Sequence, residues 1–544
     1  MLQSSPAAIL AAAPVRPLVV VVAVLATGLA IRRLVGGRLT TPLRRRLLLG
    51  VPWGTLLTIA GVWSVYLFVQ GAYWHSALLV TPFRTWSYYY PLGTLFGPFT
   101  HGSAGHITGN LLGTLVYGTV VEYAWGHYPQ QRGASSFGSL RTNPFARILA
   151  VPLVMVVVGL FTGVFALGPV VGFSGVVFAL AGFALVTRPY LFLGALLGNR
   201  IIDLVYTALR SPEPTVGGSV QYVTPWWANV AIQGHAIGLL AGVFLGTALL
   251  RARSERPGPG AVFFATLVFA VVQGLWAVYI PVGGGRYTLF RWLGTVLVLL
   301  LAVLVSAATL YTDRRALPNF EGGWPSVAGF ALIVGLTALC LASVPANGAA
   351  IGPGDLPENG LEVRDYVVTY EEDVSNAYVD SMPLPPTAQQ NLTESGVVVA
   401  SADREIWTVA VSRSRLSLQG TATVVVGGVG WRETVRVNRT DWSVAGNDSV
   451  YNVAMAREGG PARTVYTSEP STFEGHIAGR NLTLRPVGDE FEIAVRQNGS
   501  TVDRGPIPRN MSSREIGGLT FERNRSRLYA AGNGTRVVVA RAGN

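Results

Sequence analysis

Apolar residues run through the first 345 positions in long blocks broken by short polar stops, after which the pattern turns to short alternating stretches. A helix needs about 17–25 predominantly apolar residues to cross a hydrocarbon core of about 30 Å. Ten blocks meet that need, at roughly 11–31, 47–70, 104–126, 148–168, 172–187, 190–210, 228–250, 260–281, 290–311 and 325–345. The first has no basic region ahead of it and six Arg behind it, so it reads as a span rather than a cleaved leader. The fourth and fifth blocks are separated only by Gly168-Pro169, which predicts a reversal there. A helix from Ser174 to the residue before Arg188 has 14 residues, or about 21 Å, some 9 Å short of the hydrocarbon thickness. With Arg188 holding one end at the membrane surface, the Ser174 end is expected to be recessed.

Beyond residue 345 a Gly/Pro-rich stretch leads into short strands such as Val397–Ala400, Ile406–Val411, Ala422–Val426, Glu433–Val437, Phe491–Val495 and Arg536–Ala540. Turn residues separate them at short intervals, which predicts one β-sandwich or two small ones. The expected organisation is an N-terminal span with an Arg-rich loop at 1–46, a six-helix block at 47–250, three further helices at 251–345, a linker at 346–357 and a β-rich domain at 358–544. Cys340 is the only cysteine, which rules out an internal disulfide or a thiol-based metal site.

Half of the chain is hydrophobic and 13% is charged, too apolar a balance for a large soluble enzyme. The net charge of +12 would ordinarily raise nucleic acid as a partner, but it averages two unlike regions. Residues 1–345 hold 21 Arg and 6 acidic residues, whereas 346–544 hold 20 Arg and 23 acidic residues. Strict alternation of the spans puts fifteen arginines, among them Arg44, Arg45, Arg46, Arg147, Arg188 and Arg253, in loops on one side. Basic loops are retained in the cytoplasm, so the N-terminus and the β-rich domain are expected outside, and the basic excess argues for a lipid bilayer rather than nucleic acid. Eight Asn-x-Ser/Thr acceptors, Asn391, Asn438, Asn447, Asn481, Asn498, Asn510, Asn524 and Asn533, all lie after residue 345, against roughly two expected by chance. Glycosylation of an outside domain fits both signals. Together with the absence of Lys, it points to an archaeal cell surface.

Polar residues within apolar spans are costly and mark function unless they only pack or pair. Three sites stand out: His101-Gly-Ser-Ala-Gly-His106-Ile-Thr-Gly-Asn110, Gly172-Phe-Ser174-Gly175, and Gly234-His235-Ala-Ile-Gly238 continuing to Gly242 and Gly246. His106 and Asn110, four apart, share a helix face. Glycines at every fourth position from Gly234 let another helix approach closely, and Gly172 and Gly175 remove bulk around Ser174. Counted inward from the same side, Ser174, His235, His106 and Asn110 reach similar depth. His127 and His476 read as ordinary loop and surface residues. No His-Glu-x-x-His is present, and neither a metal nor a cofactor is expected.

These residues resemble the rhomboid family of intramembrane serine proteases. The likeness rests on His106-x-x-x-Asn110, on Gly172-x-Ser174-Gly175 two helices later, and on Gly234-His235-x-x-Gly238-x-x-x-Gly242 two helices further, with His101 and Glu122 also fitting. It covers about 47–250. Two departures are visible: Phe178 stands where a Tyr is frequent, and Phe83-Arg84 is the nearest match to the aromatic-Arg pair of the first loop. The resemblance implies an α-helical polytopic membrane protein with a six-helix core, here extended to about ten spans, plus an all-β sandwich-like extracellular domain. It further implies a serine endopeptidase with Ser174 as nucleophile and His235 as base, His106 and Asn110 stabilising the oxyanion, and Gly172, Gly175, Gly238 and Gly242 packing the site. Substrates would be transmembrane proteins cut near the outer ends of their spans. A non-catalytic rhomboid-like protein that binds membrane helices is the alternative.

Overall fold

The computed structural model describes residues 40–127, 133–210, 231–283, 286–310, 323–375 and 393–543, with Val22, Leu25 and Ala26. The expected first span, 11–31, and the acceptor Asn391 lie outside the described residues. The chain divides into two compact units, Met1–Gly348 and Ala349–Asn544.

In the first unit, apolar helices lie over the other expected spans: α1 (Trp53–Ser64, continued by a π turn Val65–Val69), α2 (Ala104–Trp125), α3 (Pro144–Phe165), α4 (Ser174–Thr187), α5 (Pro189–Arg210), α6 (Ile232–Arg253), α7 (Pro259–Val272), α8 (Arg291–Ala308) and α9 (Trp324–Asn347). Of these, α3, α6, α8 and α9 are long and apolar enough to cross a membrane by length and composition. Start signals are local. Ser103 Oγ accepts the His106 N–H and opens α2, and Asn143 Oδ1 accepts the Phe145 and Ala146 N–H groups ahead of α3.

Several boundaries shift by a few residues from expectation, and two of the shifts change the picture. The block 260–281 stops being helical at Val272, because Gly274 adopts φ +69° and the chain turns into a hairpin of β1 (Tyr279–Gly283) and β2 (Arg286–Leu289). The last helix continues through Pro345 to Asn347, two residues past the expected end.

The centre of the unit is α4, whose residues 179–182 and 184–187 are all buried. It lies directly against α6, where the glycine stripe has a steric cause. A Cβ at Gly238 would collide with the Gly175 carbonyl, one at Gly242 with the Ala179 carbonyl, and one at Gly182 with the Leu239 carbonyl. The two backbones touch, so no side chain fits between them.

At the far end of α2, Glu122 is fully buried. Its carboxylate accepts the Gly54 N–H at 3.2 Å and the Thr55 N–H, capping the start of α1. His127, expected to be a plain loop residue, is fully buried against the same carboxylate. The last carbonyls of α2 have no intrahelical donors, and arginines serve them. Arg253 donates to Ala124 O and Trp125 O at 2.6 Å each, and Arg147 to Trp125 O at 3.0 Å and Gly126 O at 2.8 Å.

The second unit is antiparallel β. An eight-stranded sheet runs in the order β10-β9-β8-β18-β17-β16-β15, with β7 added to β8; two four-stranded sheets are β11-β12-β13-β14 and β3-β4-β5-β6. The strands span β3 Leu361–Val363, β4 Tyr366–Ser375, β5 Thr393–Ser401, β6 Ile406–Ser412, β7 Thr421–Gly428, β8 Trp431–Val444, β9 Ser449–Arg457, β10 Arg463–Thr467, β11 Ser471–Thr472, β12 Asn481–Val487, β13 Glu490–Gln497, β14 Ser500–Pro506, β15 Ser512–Ile516, β16 Leu519–Asn524, β17 Arg527–Gly532 and β18 Thr535–Ala542. Alternation explains the layering: Leu482, Leu484, Ile493 and Val495 of one small sheet pack against Trp442, Phe521, Leu528 and Val539 of the large one. Asn438, Asn447, Asn498, Asn510, Asn524 and Asn533 are exposed and Asn481 is half-buried.

Candidate functional site

Ser174 is the first residue of α4. The N–H groups of that first turn have no intrahelical acceptor, and the helix dipole adds positive potential there. The preceding Phe173 is buried and fixes the entry of the chain, while Gly172 holds φ +118°, a conformation that favours glycine. A Cβ at Gly172 would stand 2.6 Å from the His106 ring and 3.5 Å from Asn110 Nδ2. Gly175 faces α3, where a Cβ would meet Thr162 Oγ1 at 2.7 Å.

His235 sits one turn into α6, and its Nε2 lies 2.7 Å from Ser174 Oγ. That distance is within the reach a base needs to take a proton from a hydroxyl. The imidazole is held flat against Phe178, with ring centroids 4.2 Å apart and planes at 10°. Phe178 is four residues beyond Ser174, hence on the same face of α4, and its far side meets Phe269 of α7 edge-on at 5.5 Å. The departure from Tyr therefore leaves the stacking surface in place without a hydroxyl. No carboxylate hydrogen bond to His235 occurs among the described residues; ring stacking and the Ser174 hydroxyl orient it.

His106 and Asn110 approach through Gly172 rather than directly at Ser174. Asn110 Nδ2 and His101 Nε2 are 3.0 Å apart, and the Phe173 N–H points at the same His101 nitrogen at 3.4 Å. The His101 and His106 rings meet edge to face at 5.0 Å. A hollow of 20 Å³, room for about one water, is lined by Gly172, Ser174, Gly175, Thr162, Gly234 and His235. A second hollow of 410 Å³ opens beyond His235, between Phe178 and the end of α7 at Val271–Gly274 and Trp276.

The structure thus brings Ser174, His235, Gly172, Gly175 and Gly238 into one place, with His106 and Asn110 beside Gly172 and Gly242 one turn further along the α4–α6 contact. Further residues support the group, and two of them, Gln70 and Thr85, were passed over by sequence reasoning. Gln70, at the end of α1, is fully buried and grips His101 from both sides: its Oε1 accepts the His101 N–H and its Nε2 donates to the His101 carbonyl, each at 2.8 Å. Thr85 exchanges bonds with the α3–α4 loop, its Oγ1 accepting the Val170 N–H at 3.0 Å and donating to Gly168 O at 3.1 Å. Arg84 donates to Pro169 O at 3.2 Å, so the Phe83-Arg84 pair does belong to this neighbourhood. Gln70 was the most legible of these, being a neutral polar residue at the end of a long apolar block.

No curated protein and no solved structure matches the chain. The family model described as the Rhomboid domain matches residues 88–252, which take in α2 to α6 and leave out α1, α7 to α9 and the whole β unit. Residues 88–252 of the chain therefore form a Rhomboid domain.

Proposed function

We propose that this protein is an intramembrane serine endopeptidase that cleaves transmembrane segments of other membrane proteins. The observation that carries the reading is the 2.7 Å contact between Ser174 Oγ and His235 Nε2 at the N-terminus of a short, buried helix. In the reaction, His235 takes the Ser174 proton as Oγ attacks the scissile carbonyl, and returns it to the leaving amine. Negative charge on the tetrahedral oxygen is met by the first-turn N–H of α4 and by the His106 and Asn110 side chains beside Gly172. Glycine at 172 keeps that approach open. Water then enters to hydrolyse the acyl-enzyme, and the small hollow lined by Ser174 and His235 is where it would wait.

The arginine bias of the loops supports an orientation in which Ser174 and His235 lie toward the outside of the cell membrane, with the N-terminus and the β unit also outside. The exposed acceptor asparagines fit a glycosylated exterior domain. Reconstitution in liposomes with a membrane-anchored reporter tests the activity: cleavage by the wild type and none by Ser174→Ala is expected. Equal turnover by both, or none by either together with tight retention of the reporter, would replace the protease by a binding protein of the same family.

A further inference from the structure

The last carbonyls of α3 have no intrahelical donors, yet they lie just before the loop that delivers Ser174. Their partners come from three side chains outside that loop: Asn347, Gln233 and Tyr88, whose hydroxyl donates to Val164 O at 3.0 Å. Asn347, the final residue of α9, is 3% exposed. Its Nδ2 donates to Ala166 O at 2.7 Å and to Val164 O at 3.3 Å, while its Oδ1 accepts the Gly168 N–H at 3.3 Å. Its backbone carbonyl accepts the Tyr88 N–H at 2.8 Å and the Ser87 hydroxyl at 3.3 Å. Gln233, two residues before His235, completes the set: Nε2 donates to Phe165 O at 2.8 Å and to Leu339 O of α9 at 2.5 Å, and Oε1 accepts the Leu167 N–H at 2.8 Å.

Asn347 therefore joins three segments: its side-chain amide holds the end of α3 and the loop leading to Ser174, and its backbone carbonyl holds the segment before α2. The loop from Ala166 to Phe173 is short. Once Ala166 and Gly168 are held by Asn347, Gly168 and Val170 by Thr85, and the Gly172 N–H by Gly97 O at 2.9 Å, it has little freedom left before Ser174. A polar side chain buried at the end of an apolar helix is costly unless its bonds are made, and here every bond is spent on this loop and its neighbour. We propose that Asn347 is a positioning residue for the reaction: α9, outside the Rhomboid domain, sets the α3–α4 loop and through it the placement of Ser174 against His235. This rests on the protease reading for its catalytic part only; the positioning of the loop stands apart from it.

The test uses the full-length protein in detergent, with Asn347→Ala, the nearly isosteric Gln233→Met, and Leu341→Ala on the exposed side of α9 as a control. Two quantities are read: hydrogen–deuterium exchange of peptides covering 164–170 and 85–90, and the rate of fluorophosphonate labelling as a function of probe concentration. For Asn347→Ala, exchange should rise at 164–170, where the side-chain bonds are lost, and less at 85–90, where the backbone carbonyl still serves Tyr88; the labelling rate at saturation should fall about tenfold, with the half-saturating concentration within about twofold, since small misplacements of a nucleophile act on the chemical step. Gln233→Met should do the same for 164–170 and keeps the test open if Asn347→Ala does not fold. Leu341→Ala should match the wild type in both readouts. Unchanged exchange at 164–170 in the folded variants overturns the proposal, whether or not labelling falls. Raised exchange with unchanged labelling overturns the catalytic part. A wild type that never labels, with exchange still raised by Asn347→Ala, sinks the protease reading and leaves the loop positioning standing.

Discussion

The two ends of α2 each bury a polar cluster, and the clusters are built on opposite plans. Around Glu122 a full carboxylate is closed off by backbone N–H groups of α1 and by His127, while arginines close the carbonyls of the helix end. Around His106 and Asn110 the groups are imidazoles and an amide, and the path they border, past Gly172 to Ser174, has been cleared of side chains and opens on a hollow. The first arrangement uses up its polar capacity on the protein itself. The second keeps a hydroxyl, an imidazole and first-turn N–H groups facing space, which is what a reacting carbonyl requires. A buried polar residue in a helical unit can thus be a fastener or a reagent, and the difference lies in whether its polar capacity is used up within the protein.

The contrast is broken most severely by Ser174→Ala, which should lower turnover by a factor on the order of 10⁴ or more with the thermal transition of the fold preserved. An active Ser174→Ala would mean the open end holds no reagent. Next comes Gly242→Ala, whose methyl must occupy the position of the Ala179 carbonyl. Forcing α4 and α6 apart should cost about 1–3 kcal/mol or more and separate Ser174 from His235, so both thermal stability and cleavage should fall; an unaffected variant would deny the close backbone contact. At the saturated end, Glu122→Gln points an amide N–H at the Gly54 or Thr55 N–H. It should lower stability by about 1–3 kcal/mol, seen as a lower melting temperature, while turnover per folded molecule stays within about twofold. A large loss of turnover in folded Glu122→Gln would merge the two ends into one functional site.

The smallest effect extends the comparison to the β unit, where Glu372 is saturated in the manner of Glu122. It accepts from Tyr370 at 3.1 Å, Tyr466 at 3.0 Å and Tyr451, with Arg413 at 3.3 Å. Burial, and then the neighbouring Glu372 charge, raise the Tyr370 and Tyr466 phenols above the ordinary value. A raised folded value means the protonated phenols stabilise the fold fully below the unfolded value of about 10, and that contribution is lost as pH climbs beyond it. Alkaline titration followed by tyrosinate absorbance should show these two ionising late and cooperatively with loss of β structure. Tyrosines that all titrate together near 10, with the fold intact, would contradict the cluster.

Much of this was legible in the chain. Glycines spaced by four predicted the α4–α6 contact because only hydrogen lets two helix backbones touch, and a 14-residue apolar block ending at Arg188 placed Ser174 at a helix start. Alternating residues such as Val397–Ala400 and Phe491–Val495 announced the strands. What was hidden depends on contacts between distant segments. His127 looked like a loop residue because nothing local reveals that Glu122 folds over it. The loop arginines read as a topology signal, yet Arg147 and Arg253 also cap α2, a second use that charge counting does not register. Asn347 lay past the expected helix end, since Pro345 reads as a stop, though proline breaks a helix only through its own missing N–H and the clash with the preceding turn. The end of α7 was missed for the converse reason: residues 275–281 remain apolar after Gly274 has already turned the chain.

The most direct test of the central claim is fluorophosphonate labelling of the purified full-length protein, with the modified residue mapped by peptide mass spectrometry. The account predicts a single phosphonylated residue, Ser174, with labelling abolished in Ser174→Ala and strongly slowed in His235→Ala. Labelling at another residue, equal labelling of wild type and Ser174→Ala, or no labelling of a folded wild type would contradict it.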